Sequence, residues 1–178
     1  VRTLLFVLVL GGIMTTGIAA DESPYKGQEM RGIKSLSQQQ VDGYLNGRGM
    51  GYARAAELNN YPGPLHVLDL ADELGLDEEQ IAGTRIIYES MRAQAITLGK
   101  QLLEKEQELD RKFANNEIDP ETLNRLVADA GMIRAKIRYV HLHAHLQQKA
   151  LLGKNQVEEY NRLRGYTAMQ DHPHHHDH

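Results

Sequence analysis

The sequence has no cysteine and no tryptophan, and only two phenylalanines. Without cysteine there is no disulfide, no thiol chemistry and no thiolate ligand, so any metal site must draw on His, Asp, Glu or Met. So few large aromatics leave a thin core for a chain of 178 residues, which reads as one domain plus appendages. A net charge of −4 and a pI near 6.1 give no overall basic footprint, so no nucleic-acid partner is expected. The glycine patterns of Rossmann and P-loop sites are missing, no strand-like alternation stands out, and the expected class is all-α. No Ser-His-Asp grouping, paired-carboxylate motif or HExxH occurs, so neither enzyme activity nor an organic cofactor is expected.

One apolar run does stand out, near the start. Arg2 precedes Leu4 to Leu10, then a Gly pair, then the small-residue end Gly17-Ile18-Ala19-Ala20. A charged start, a short apolar core and a small-residue tail read as a secretory signal peptide over residues 1–20, cut after Ala19 or Ala20. An uncleaved N-terminal anchor is the alternative. No Cys follows the run, which argues against a lipoprotein. The expected location is the periplasm, with no stable membrane insertion after cleavage.

From Asp77 to Ala150 the chain reads as two long helices joined by one short turn. Ile81, Thr84, Tyr88, Met91, Ala95, Leu98, Leu102 and Leu109 step by three and four residues, with Lys105 as the gap. Leu123, Leu126, Ala130, Ile133, Ile137, Val140 and Ala144 repeat the pattern. Each arm therefore carries one narrow apolar stripe, the seam of a coiled-coil-like pair. Asn115-Asn116 can end the first arm, Asp119 can cap the second, and Pro120 suits its first turn. So short a connection makes the arms an antiparallel hairpin. Two diluted stripes make little core, so shorter helices or a second copy must cover the seam, and a homodimer is expected.

Residues 21–35 are polar and aperiodic, a loose leader, and residues 36–165 form the helical domain. Ser37 and Gln40 have capping-box spacing. Gly47-Arg48-Gly49-Met50-Gly51 lacks the strand and the Lys-Ser/Thr of a phosphate loop and reads as a flexible or tightly packed turn. Tyr52 to Leu58 is Ala-rich and helical, Pro64 opens a further helix that Gly75 closes, and Lys154 to Arg164 makes the last. Residues 166–178 form a polar, His-rich tail.

Leu76-Asp77-Glu78-Glu79-Gln80 opens the first long arm and Leu152-Gly153-Lys154-Asn155-Gln156 opens the final helix, with Leu36-Ser37-Gln38-Gln39-Gln40 as a third copy. This pattern resembles the LTxxQ signature of the Spy/CpxP family of periplasmic proteins, which includes heavy-metal sensors and zinc-resistance-associated members. It covers roughly residues 65–165. Asp, Gly and Ser stand where the family has Thr, and each is an acceptable helix cap. Leu76, Asp77, Gln80, Leu152, Gly153 and Gln156 carry the match. The resemblance implies a hooked all-helical protomer, a dimer with a concave face, and no enzyme activity. Family members act as ATP-independent holdases, as inhibitors of envelope-stress sensor kinases, or as divalent-metal binders. The partners implied are unfolded envelope proteins or the periplasmic domain of a sensor kinase.

Histidine supplies the chemistry. His141 and His145 lie four apart on one helix face and can reach one cation, while His143 points away. Arg134 and Arg138 extend that face, and their charge opposes a tight cation site. The alternative is a pair of partly exposed histidines flanking the seam. His66 is a candidate third ligand, with Glu73 or Glu89 as carboxylate. Lys149 stands four residues beyond His145, where a further Met or His would extend the set. The tail holds His172, His174, His175, His176 and His178, a flexible chelator for Zn²⁺, Ni²⁺, Co²⁺ or Cu²⁺. Pro173 and Asp177 interrupt it, unlike an ordinary purification tag. Arg134, Lys136 and Arg138 form a basic patch, either solvated or part of a client-binding surface.

Overall fold

The computed structural model describes residues 22–166; the signal-like run and the tail histidines lie outside them. Among the described residues there are six α-helices and no strand, so the protein is all-α. They are α1 (Gln38–Leu45), α2 (Arg54–Glu57), α3 (Pro64–Asp69), α4 (Glu78–Ala114), α5 (Pro120–Leu151) and α6 (Lys154–Leu163). None of the described helices is long and apolar enough to cross a membrane.

Local chemistry sets the long helices. The Asp77 carboxylate accepts from the Gln80 N–H at 2.8 Å and the Gln80 side chain accepts from the Asp77 N–H at 3.3 Å, a complete capping box at the start of α4. Asp119 accepts from the Thr122 N–H at 2.8 Å, and Pro120 occupies the first turn of α5. Between them the chain turns at Asn116, whose φ of +56° is a left-handed conformation that asparagine tolerates.

Along α4 and α5 the partners run in opposite order. Thr84 meets Gln148, Lys105 meets Asp129, Glu106 meets Arg134 and Glu108 meets Arg125. The stripe buries Met91, Ala95 and Leu102 against Leu126, Ala130, Ile137 and Ala144. Leu123, placed on the stripe by its spacing, is exposed instead. The step of four after Leu102 falls on Glu106, which is buried and held by Arg134 and by the Ser35 hydroxyl at 2.9 Å. A buried carboxylate needs such partners. They tie down the end of the segment read as a loose leader, where Ile33 packs against the core and Lys34 pairs with Asp110.

Of the short helices, α3 and α6 meet beside one end of the pair. Val67, Leu74 and Tyr160 form a second apolar cluster, against which Leu76 and Leu152 pack. The two motif glutamines interlock beside it. Each amide donates to the other's oxygen at 2.9 Å, Gln80 also donates to the Leu151 carbonyl, and Gln156 also donates to the Leu74 carbonyl. The Gln156 oxygen in turn accepts from the Gly153 N–H. Gln156→Ala breaks this ring and leaves the half-buried Gln80 amide short of a partner. Urea unfolding should read a loss of about 1–2 kcal/mol; an unchanged midpoint would remove the ring from the account.

Candidate metal centre

His141 and His145 project from one face of α5, with Cβ atoms about 5–6 Å apart by helix geometry. Both are buried, not partly exposed: His141 keeps 3% of its surface and His145 keeps 8%. They line a cavity of about 530 Å³ walled by the Asn46–Gly51 turn, α2, the start of α3, α4 and the chain after α6. The turn is held against α4 by Gly47, where a side-chain carbon would sit 2.9 Å from the Arg92 carbonyl oxygen and φ is +64°. Tight packing is the use of Gly47, whereas a carbon added at Gly49 would meet nothing within 4 Å.

The two rings have opposite hydrogen-bonding states. His145 Nδ1 lies 2.7 Å from the Tyr61 carbonyl, which can only accept, so Nδ1 carries the proton. In the neutral ring this leaves the Nε2 lone pair free to bind. His141 stacks on Tyr52, and its Nε2 is buried with no hydrogen-bond partner. Burial, with His145 nearby, pushes the His141 pKa down to about 4 from 6.5. The ring is therefore neutral at pH 7, the form that binds metals.

A carboxylate does approach, and it is Glu57. Its Oε2 lies 3.7 Å from His145 Nδ1, while Oε1 accepts from the Tyr160 hydroxyl at 2.7 Å and the Tyr166 hydroxyl at 3.0 Å, with Arg164 at 3.5 Å. Burial and the Glu57 bond push the Tyr160 phenol well above its ordinary range, so it stays a donor. Glu73 and Glu89, the carboxylates first considered, are exposed and do not line the cavity. His66 does line it and sits 3.6 Å from Asp69. Lys149 rests over the Tyr61 ring, 3.8 Å from its centre, bracing the carbonyl that holds His145. His143 is exposed and stacks on Tyr139.

Arg134 is committed to Glu106, whereas Lys136 and Arg138 are exposed on α5. Among the described residues, no three His, Asp or Glu side chains converge closely enough to hold an ion. The described fold thus presents two imidazoles, one tautomer fixed and one nitrogen unpartnered, at the wall of a cavity. Such a pair falls short of the four ligands of a closed zinc site. Nothing in the local sequence around Glu57 marked it: it sits in a one-turn helix, remote in sequence from every group it holds.

No protein-family model, curated protein or solved structure matches this chain.

Proposed function

We propose that the chain is an exported Spy/CpxP-like protein of the periplasm that binds a divalent transition metal through His141 and His145. Zn²⁺ is the favoured ion, with Ni²⁺, Co²⁺ and Cu²⁺ the other borderline ions an imidazole pair accepts. The observation that carries this is the buried, unpartnered Nε2 of His141 one turn from an imidazole whose Nδ1–H is already fixed. An orphaned buried nitrogen is costly unless a ligand uses it. A carbonyl gripping the far nitrogen of a histidine is the usual outer support of a metal ligand. When bound, the ion would supply a charge that draws the walls of the cavity together, as a sensor or buffer in the metal or envelope-stress response requires.

Calorimetric zinc titration of the full chain, with the five tail histidines replaced by alanine, tests the site on the fold. A saturable heat that disappears on adding His141→Ala and His145→Ala is the expected outcome. Heat that survives both substitutions would end this reading.

A second reading has its own observation. Met132, Tyr139 and Leu146 are more than half exposed and follow one another by seven residues on α5, with Lys136 and Arg138 between them. An apolar stripe with basic flanks suits a holdase for unfolded envelope proteins, or the seam of a homodimer whose hooked protomers share a concave face. Tyr139→Asp should abolish protection of a denatured client from aggregation and leave zinc affinity alone. Loss of zinc binding with client protection intact would separate the roles the other way.

A further inference from the structure

A cavity of about 530 Å³ is far larger than one ion beside two imidazoles needs, and it has the size of pockets that hold a small organic molecule. Much of its wall away from His141 and His145 is apolar. Tyr88 and Met91 enter from α4, about one turn apart, and Met50, Leu58, Pro64 and Leu65 line it from the short segments. Met50, Leu58 and Leu65 are exposed, so apolar surface gathers where the cavity opens.

The turn that carries Met50 is held in place. A carbon added at Gly43 would collide with the Met50 sulfur, so the glycine makes room for that side chain. Met50 itself has a left-handed backbone, with φ +42°, which is costly for a residue with a side chain. Such strain persists only where the surroundings impose it, and it gathers at binding sites. On either side of Met50, the Arg48 N–H donates to the Gly43 carbonyl at 2.9 Å and the Tyr52 N–H donates to the Gly49 carbonyl at 2.7 Å. At Gly51, where φ is +82°, an added carbon would lie 3.4 Å from the Arg54 guanidinium, which rests against the bare backbone.

Charge selects the occupant. Arg48, Arg54 and Arg164 line the cavity against the carboxylate of Glu57. Arg164 pairs with Glu57 at 3.5 Å, whereas Arg48 and Arg54 make no ion pair among the described residues. Guanidinium groups beside an apolar wall suit a planar carboxylate, which each can hold through two parallel bonds. Methionine sulfur makes favourable contacts with an aromatic ring, and Met50 and Met91 both line the wall.

We propose that this cavity binds a small aryl carboxylate, its ring against Met50, Met91 and Tyr88 and its carboxylate on Arg48 and Arg54. None of these contacts uses His141 or His145, so loss of this ligand and loss of metal are separable.

The chain has six methionines, and isotope labelling of their methyl groups gives a sparse NMR spectrum of the full-length protein. Naphthoate is the probe, naphthamide its neutral match and decanoate its aliphatic one. Naphthoate should move the Met50 and Met91 signals saturably by ring current and leave those of the exposed Met30 and Met132 in place. Arg48→Gln/Arg54→Gln removes charge-assisted bonds and should weaken naphthoate about tenfold or more, with zinc binding unchanged. Both arginines are exposed, so the core of this variant is untouched. Naphthamide should bind wild type about tenfold more weakly than naphthoate, and decanoate should also be the weaker ligand.

No shift at Met50 and Met91, or shifts of equal size at Met30 and Met132, overturns the site. Equal binding of naphthamide, or indifference to Arg48→Gln/Arg54→Gln, overturns the carboxylate. Decanoate binding as tightly as naphthoate overturns the aromatic ring. Naphthoate bound as expected with no heat from zinc would end the metal reading and leave this one standing.

Discussion

Between pH 6.5 and 4 the metal-free fold should lose roughly 3 kcal/mol through His141 alone. Its imidazole is held at about 4 in the fold by burial, with His145 adding repulsion, against 6.5 in the open chain. In that window the unfolded chain takes up a proton that the folded chain refuses. Stability therefore falls as pH falls, is unaffected by this group above pH 6.5, and loses nothing further from it below pH 4. Urea unfolding of wild type and His141→Gln across pH 7 to 4 isolates the effect, since glutamine does not titrate. The wild-type curve should drop relative to the variant by about that amount. Parallel curves would mean that His141 is as hydrated in the fold as outside it. In the fold zinc meets a competing proton on His141 only as pH approaches about 4, so affinity through this ring should hold above that pH and fall near it.

Gly99→Ala should destabilise the protein by about 2 kcal/mol, although alanine is the better helix former by about 1 kcal/mol. Gly99 is buried in α4, and an added Cβ would lie 2.4 Å from the Tyr44 carbonyl oxygen and 2.9 Å from its carbon. Those atoms are the backbone at the end of α1, which cannot swing aside like a flexible side chain. Either α1 lifts from α4, uncovering Tyr44 and Leu36, or the contact stays strained. Gly131→Ala is the matched control. It is exposed in α5 with nothing within 4 Å of the new carbon, and should raise stability by about 0.5–1 kcal/mol. Equal effects at the two positions would contradict the packing of α1 on α4.

What could be read without coordinates was local. Ser37, Asp77 and Asp119 cap their helices because capping needs only the next three residues. His141 and His145 share a face because four residues make about one turn. The seam was less legible where a charge sits in it. Lys105 looked like the interruption, yet the buried position is Glu106, and only Arg134 and Ser35, far along the chain, make that tolerable. The depth of the histidines was hidden for the same reason. Tyr52, Tyr61 and Glu57 arrive from a stretch whose helix is a single turn, and no periodicity announces where such a segment folds. Glutamines 80 and 156 were legible as motif positions, but their mutual hydrogen bonds depend on α6 returning to the start of α4.

The most direct test of the account is two-dimensional NMR of the histidine ring nitrogens in the full chain, before and after one equivalent of zinc. In the metal-free protein, His145 should carry its proton on Nδ1 and His141 should be neutral at pH 7. With zinc, the Nε2 signals of both His141 and His145 should take metal-bound shifts, with His145 Nδ1 still protonated against Tyr61. Metal-bound shifts confined to histidines 172–178, with the 141 and 145 rings unchanged, would contradict a metal centre built on this fold.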